Sequence, residues 1–181
     1  MTGQQTLQLP ADGPDEYDAY LGALDADILS PTVRAGYTHW RSLLHGKRMP
    51  KRREIDATAI ARQLLHVTLI DVGHDPPSFK ARLAGEYVRL RQGIGPGTRI
   101  AEQVAEAQAR DRLLARLTMC AEQRRPILGL YRYIPLDQLR QQVWVQALAC
   151  PLSDDGQTVN HIICFGADHD FKVPPDAKEW P

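Results

Sequence analysis

FKARLAGEYVRLRQGIGPGTR, residues 79–99, joins a strand to a short helix and then to a glycine-rich loop. Phe79, Ala81 and Leu83 share one face of the strand and Lys80 and Arg82 the other, the period-two pattern of a half-buried β-strand. Gly85 breaks that pattern. Tyr87, Val88, Leu90 and Arg91 then fit a short helix. Gly93, Gly95, Pro96 and Gly97 deny the chain a regular continuation before another helix begins near Thr98.

Upstream, Ser30 is placed to cap a helix with Pro31 at its first position, and Val33, Tyr37, Trp40 and Leu44 recur at helical spacing as far as Gly46. Met49-Pro50 leads into a basic connector, and Asp56 caps a second short helix holding Ile60, Leu64 and Leu65. A β-rich run over 66–72 and the turn 75–78 pair with the strand at Phe79 as a hairpin. Downstream, Ile100, Val104, Ala107, Leu114, Leu117 and Ala121 predict one long amphipathic helix over 98–123 that covers a sheet. Three β-like runs follow, 127–134, 143–152 and 158–165, the last two joined by Ser153-Asp154-Asp155-Gly156-Gln157. The order is two strands, a helical crossover and three strands, an α+β pattern.

A chain of 181 residues favours one domain with extensions. With 22 basic and 22 acidic side chains the net charge is zero, which removes long-range attraction to nucleic acid or anionic membrane as a dominant property. The charge is unevenly spread: residues 12–27 carry six acids and no base, whereas 34–53 carry seven bases and no acid. Cys120, Cys150 and Cys164 are odd in number and lie in apolar surroundings, which points to small core residues in a reducing compartment. No stretch has the length and apolarity of a membrane span or a secretory leader, so a cytoplasmic protein is expected.

The element order and the residues that punctuate it resemble a PAS domain, and in particular the small bacterial PAS-like proteins that consist of little else. The resemblance covers residues 37–165. It rests on Tyr37-x-x-Trp40-Arg41 with Pro50 and Ile55-Asp56, Leu69-x-Asp71-Val72, Arg82-Leu83-Ala84-Gly85, Gly97-Thr98-Arg99 and Pro151-Leu152-Ser153-x-x-Gly156. It implies a five-stranded antiparallel sheet with helices packed on one face, a ligand pocket between sheet and helices, and sensing or protein contact in place of turnover. On that reading residues 1–30 are a flexible acidic lead, 31–56 an N-terminal flanking helix with its basic connector, 57–166 the PAS-like domain and 167–181 a loose tail. Phe79, Leu83, Tyr87, Leu117, Tyr131, Tyr133 and Trp144 are the candidates for lining the pocket. Tyr37, Trp40 and Leu44 are the candidates for packing their helix on the domain or contacting a partner, including a second copy in a homodimer.

Other chemistries have weaker footing. Gly93-x-Gly95-x-Gly97 invites a phosphate-loop reading, but it follows a helix, lacks the Lys-Ser/Thr ending and contains Pro96, which has no N–H. His161, Cys164 and His169 suit zinc by type, yet positions 161 and 164 of a strand face opposite ways. Haem has no His on the long helix and would need His66 or His74, and no Asn-Cys-Arg-Phe-like segment supports cysteinyl flavin chemistry. The sequence argues against all three cofactors. Ser30, Ser42, Ser78 and Ser153 sit at caps, turns or a polar face, and Asp154 and Asp155 read as turn formers. Lys47, Arg48, Lys51, Arg52 and Arg53 lack interleaved aromatics, so a solvated connector is favoured over nucleic-acid contact.

The sequence therefore predicts a non-enzymatic PAS-like sensory module that binds a small apolar or mixed ligand, or a signalling partner, and has no output domain. The alternatives are a small α+β enzyme using the same cavity and a nucleic-acid-associated regulator working through the basic connector.

Overall fold

The computed structural model describes residues 29–104, 106–138 and 141–173. The acidic segment 12–27 and the chain beyond 173 lie outside the described residues. Helix α1, Pro31–Ser42, starts where the Ser30 Oγ accepts a hydrogen bond from the Val33 N–H at 3.2 Å, with Pro31 at the first position. Two 3₁₀ segments, Arg52–Glu54 and Ala61–His66, occupy the connector. The second replaces the expected short α-helix. Its Ile60 is buried, whereas Leu64 and Leu65 are exposed. Then come β1 (Val67–His74), β2 (Pro77–Ala84), α2 (Glu86–Gln92), α3 (Ile100–Gln103), α4 (Ala107–Gln123), β3 (Ile127–Tyr133), β4 (Val143–Leu152) and β5 (His161–Ala167).

The five strands form one antiparallel sheet in the order β2-β1-β5-β4-β3, with the helical crossover between the second and third strands of the chain. This is the sheet that the PAS resemblance implies. The crossover differs from the predicted single helix, because Ile100–Gln103 and Ala107–Gln123 are separate helices, with Val104 and Glu106 in extended backbone. Sequence offers no Gly or Pro there, so tertiary contacts impose the break. Ahead of it the Gly97 N–H donates to the Ala81 carbonyl and the Ala81 N–H to the Thr98 carbonyl, at 2.7 and 2.8 Å, pinning the chain to β2 with Ile100 fully buried. Beyond it the Glu106 carboxylate accepts from the Ile134 N–H at 3.0 Å. The break shifts the inward stripe of α4 to Ala109, Leu113, Arg116, Leu117 and Cys120, leaving Ala107 outside.

Both faces of the sheet are covered, where the resemblance implies one. The crossover side packs Ile70, Ala81, Ile127 and Ile162 under Leu113 and Leu117. On the other side α1 lays Val33 and Trp40 against Leu128, Leu148, Ile163 and Phe165. Gly36 lets the helix come this close, since a Cβ there would sit 2.2 Å from the nearest Phe165 ring carbon. The Trp40 indole N–H donates to the Pro151 carbonyl at 2.9 Å, which anchors the far end of the helix. Helix α1 thus packs as a layer of the core. Ala167 ends β5, and Asp168 and Asp170 just beyond it are tied into the body.

One residue interrupts the period-two pattern of residues 79–83. Leu69 pairs with Leu83, but the next residue, Ile70, pairs with Ala81, so Arg82 is an extra residue bulged out of β2. Phe79 and Ala81 face the crossover. Leu83, beyond the bulge, falls out of that face and is 47% exposed.

Candidate ligand site

The inward stripe of α4 carries a charge. Arg116 is 1% exposed, and its Nε and Nη1 have no hydrogen-bond partner. The guanidinium lies 5.2 Å from the centre of the Tyr131 ring, a cation–π distance, and no carboxylate among the described residues pairs with it. It borders a small cavity between α2, α4 and the sheet, about 20 Å³ in volume, together with Thr68, Ile70, Gln92, Leu113 and Tyr131. A second cavity, of about 50 Å³, shares Gln92, Leu113 and Tyr131 as walls and continues outward past Arg91, Glu106 and Tyr133. An unpaired charge in such surroundings is costly, and the bare space beside it has room for about one water molecule.

Arg91 and Tyr133 connect the outer cavity to the chain that follows β5. The Asp168 side chain is 1% exposed. It accepts from the Tyr133 hydroxyl at 2.8 Å, from Arg91 Nε at 2.8 Å and from the Tyr87 hydroxyl. Arg91 Nη1 reaches Asp137 at 3.0 Å as well. Burial pushes the Asp168 carboxyl up, but the hydrogen bonds from Tyr87, Tyr133 and Arg91 outweigh it and hold the group below the ordinary carboxylate value. Burial first, and the Asp168 charge second, push both phenols well above their usual range, so Tyr87 and Tyr133 remain donors. Beside them the His66 ring lies 4.4 Å from Tyr87 and 5.4 Å from His169, centre to centre, and its Nδ1 is 3.1 Å from the Gly166 carbonyl oxygen. Two residues on, Asp170 accepts from the Thr32 hydroxyl at 2.8 Å, at the start of α1.

Of the seven candidate pocket residues, Tyr131 and Tyr133 line these cavities. Tyr87 meets the site only through Asp168. Leu117 is buried in the core beneath α4. Phe79 borders a separate hollow of about 290 Å³ with Val72, Glu122, Arg124 and Val159 at the far end of α4. Leu83 is turned away by the bulge. Trp144 packs on the α1 side of the sheet, with the Arg132 guanidinium 5.3 Å from its ring centre, because even-numbered positions of β4 face away from the crossover. Trp40 and Leu44 are spent on their own sheet and are core residues, not an exposed contact face; Tyr37 is half-buried beside Trp40.

The sequence reading missed Arg116, Gln92, Arg91 and Asp168. For Arg116 a signal existed: it stands three residues after Leu113 and four before Cys120, on the apolar stripe. Asp168 carries none, since its partners lie 35 to 81 residues away in the chain.

In the glycine-rich loop the Gly93, Gly95, Gly97 and Thr98 N–H groups donate to Arg89, Thr98 Oγ1, Ala81 and Gly95, so no row of free donors is left for a phosphate. Asp155 accepts from Ser153 Oγ and from the Gln157 and Thr158 N–H groups; the two backbone donors, then Ser153, hold its carboxyl far below the ordinary range, as a turn former. His161 is held by Asp71 at 2.8 Å, and no group of three or more His, Cys, Asp or Glu among the described residues is placed to bind a metal ion. Burial pushes all three thiols up, Cys164 to about 11, so they stay protonated. In the basic connector Lys47 pairs with Glu54 at 2.6 Å and Arg48 donates to the Gln123 carbonyl. No helix among the described residues is long and apolar enough to cross a membrane.

No family model matches the chain, and no curated protein matches it. Solved structures similar to part of it include the N-terminal domain of a diguanylate cyclase with PAS/PAC sensor from Marinobacter aquaeolei, at 17% identity over 57% of this chain and 95% of that one, with a TM-score of 0.41. A PAS domain from Colwellia psychrerythraea aligns at 8% identity over 62% and 94%, TM-score 0.44. A sensory box sensor histidine kinase from Vibrio cholerae aligns at 19% identity over 65% and 98%, TM-score 0.41. At these scores the fold rests on the strand order and the crossover themselves, and on those grounds it is a PAS-like α+β fold.

Proposed function

We propose that this protein is a PAS-like sensory module that holds a small ligand between the sheet and α4 and passes its state to a partner by contact, without catalysing a reaction. The observation that carries this reading is the shared wall: Arg91 and Tyr133 border the outer cavity, and both hold Asp168 just past β5. A ligand that favours one arrangement of Arg91 and Tyr133 alters how firmly the segment after β5 is docked, and differential affinity of that kind is all a sensor requires. Against the enzyme alternative, no nucleophile with a placed base stands beside either cavity among the described residues. In a homodimer or with a partner, the exposed Leu64, Leu65 and Leu83 are better suited to contact than the buried Trp40 and Leu44.

Native mass spectrometry and an absorption spectrum of freshly purified protein test the reading. A co-purified small molecule, lost from variants that fill the cavity such as Ala109→Phe, supports it. Multiple turnover of a defined substrate, abolished by changing one polar cavity residue in a folded protein, would move the chain to the enzyme class.

A further inference from the structure

The hollow at the far end of α4 is the largest of the three and shares no wall residue with the other two. Its volume is about 290 Å³; at the ~30 Å³ that each water takes in the liquid, it has room for a molecule of about nine heavy atoms. Val72 and Phe79 from the hairpin and Val159 from the turn before β5 give it an apolar floor. Glu122 and Arg124, both exposed, border it with opposite charges. Neither side chain has a hydrogen-bond or ion-pair partner among the described residues, so a ligand can engage both without breaking an existing contact. Arg124 caps α4 at φ 54, a left-handed position where glycine or asparagine is usual, so the cap itself does not call for an arginine. Because the two charges balance, a ligand carrying only one sign gains at one of them and is repelled by the other. We infer that this hollow binds a free α-amino acid with an apolar side chain, its ammonium on Glu122, its carboxylate on Arg124 and its side chain on Val72, Phe79 and Val159. The carbonyl end of α4, where Glu122 lies, favours the ammonium as well. Such a ligand joins the β1–β2 hairpin, the last turn of α4 and the turn leading into β5. The inference goes beyond the sensing reading above, since it assigns a different site.

The test follows backbone amide NMR signals of the whole dialysed protein, at neutral pH and constant ionic strength, as L-leucine is added. Parallel titrations use 4-methylpentanoate, which lacks the ammonium, isopentylamine, which lacks the carboxylate, and glycine, which lacks the tail. L-Leucine should move the Gly73, Ala121 and Thr158 signals saturably and leave those of Gln92 and Gly166, which border the inner cavity, in place. The two single-charge analogues should bind about 3–10-fold more weakly, the effect of one charged contact at a part-exposed site, and glycine more weakly still. Glu122→Gln should bring L-leucine level with 4-methylpentanoate. Arg124→Asn, which suits the left-handed cap, should bring it level with isopentylamine. Should either variant fold poorly, the analogue series on the unmutated protein decides alone. Equal affinity for L-leucine and both single-charge analogues overturns the inference, as does the absence of any shift with L-leucine and with L-phenylalanine. Shifts that map to Gln92 and Gly166 instead overturn it too, and leave the sensing reading standing at the cavities beside Arg116.

Discussion

Asp168 and Asp170 stand two residues apart beyond the last strand and bind opposite layers of the molecule. Asp168 takes hydrogen bonds from Tyr133 and Arg91 on the crossover side, and Asp170 takes them from Thr32 at the start of α1. In an extended strand residues two apart share a face, but the chain bends beyond β5, and the bend turns the two carboxylates toward opposite coverings of the sheet. What moves one layer therefore reaches the other through two peptide units.

The clasp gives a first prediction. Asp168→Asn removes the charge facing Arg91 and weakens the acceptor shared with two phenols; Arg91, 11% exposed, keeps Asp137. The expected loss is about 2–3 kcal/mol in denaturant-induced unfolding. Because the Asp168 carboxyl is held below its unfolded value, its contribution is complete above about pH 4 and declines as pH falls toward the folded value. The asparagine variant should show a shallower acid limb, and an unchanged limb would place the clasp's stability elsewhere.

His66 gives a second dependence with the same sign in a different window. Burial, and then the neighbouring His169, lower its imidazole from the ordinary value, so the folded protein favours the neutral ring. The unfolded chain binds that proton more readily, and stability must fall as pH drops through about 6.5. Asp168 and Asp170 oppose the trend by attraction without reversing it. Melting temperatures measured from pH 8 to 5.5 should decline less for His66→Gln than for the unmutated protein.

Substitution at the α1–β5 contact should be costly for its size. Gly36→Ala adds one methyl against a buried aromatic ring, and overpacking of this kind costs about 1–3 kcal/mol. Phe165→Leu in the same chain should return part of the loss. If Gly36→Ala unfolds at the unmutated midpoint, the helix does not sit where described.

Trp40 separates packing from hydrogen bonding. Trp40→Ala should cost about 3–5 kcal/mol through lost burial. Trp40→Phe keeps most of the apolar contact but leaves the Pro151 carbonyl without its indole donor, for about 1–2 kcal/mol. Native mass should be unchanged in both, since the side chain faces its own sheet.

Element type and order were legible in the sequence, because period two and period 3.6 follow from burial on one face. β4 matches its predicted 143–152 span end to end, while β5 begins at His161 instead of 158, since Asp155 organises the intervening turn through Thr158. Leu83 shows the limit of periodicity: a single bulged residue inverts every assignment beyond it, and nothing in Arg82 announces the bulge. Trp144 fails for a related reason, as alternation gives two faces without saying which one meets the crossover. Arg116 has the spacing of a core residue on α4, three after Leu113 and four before Cys120, but a guanidinium on an apolar stripe does not by itself say that it is buried. The Asp168 network was out of reach, because residues from α2, β3 and the post-β5 segment meet only once the sheet is assembled.

The contact between Gly36 and Phe165 contains no flexible side chain, only a helix backbone resting on a ring rooted in the central strand. Long side chains between layers would act as a cushion and dissipate small shifts by changing rotamer. Here the interface behaves as a rigid bearing. A change in the curvature of β5 is delivered to α1 as displacement of the whole helix, which makes the outer layer a pointer for events on the far side of the sheet.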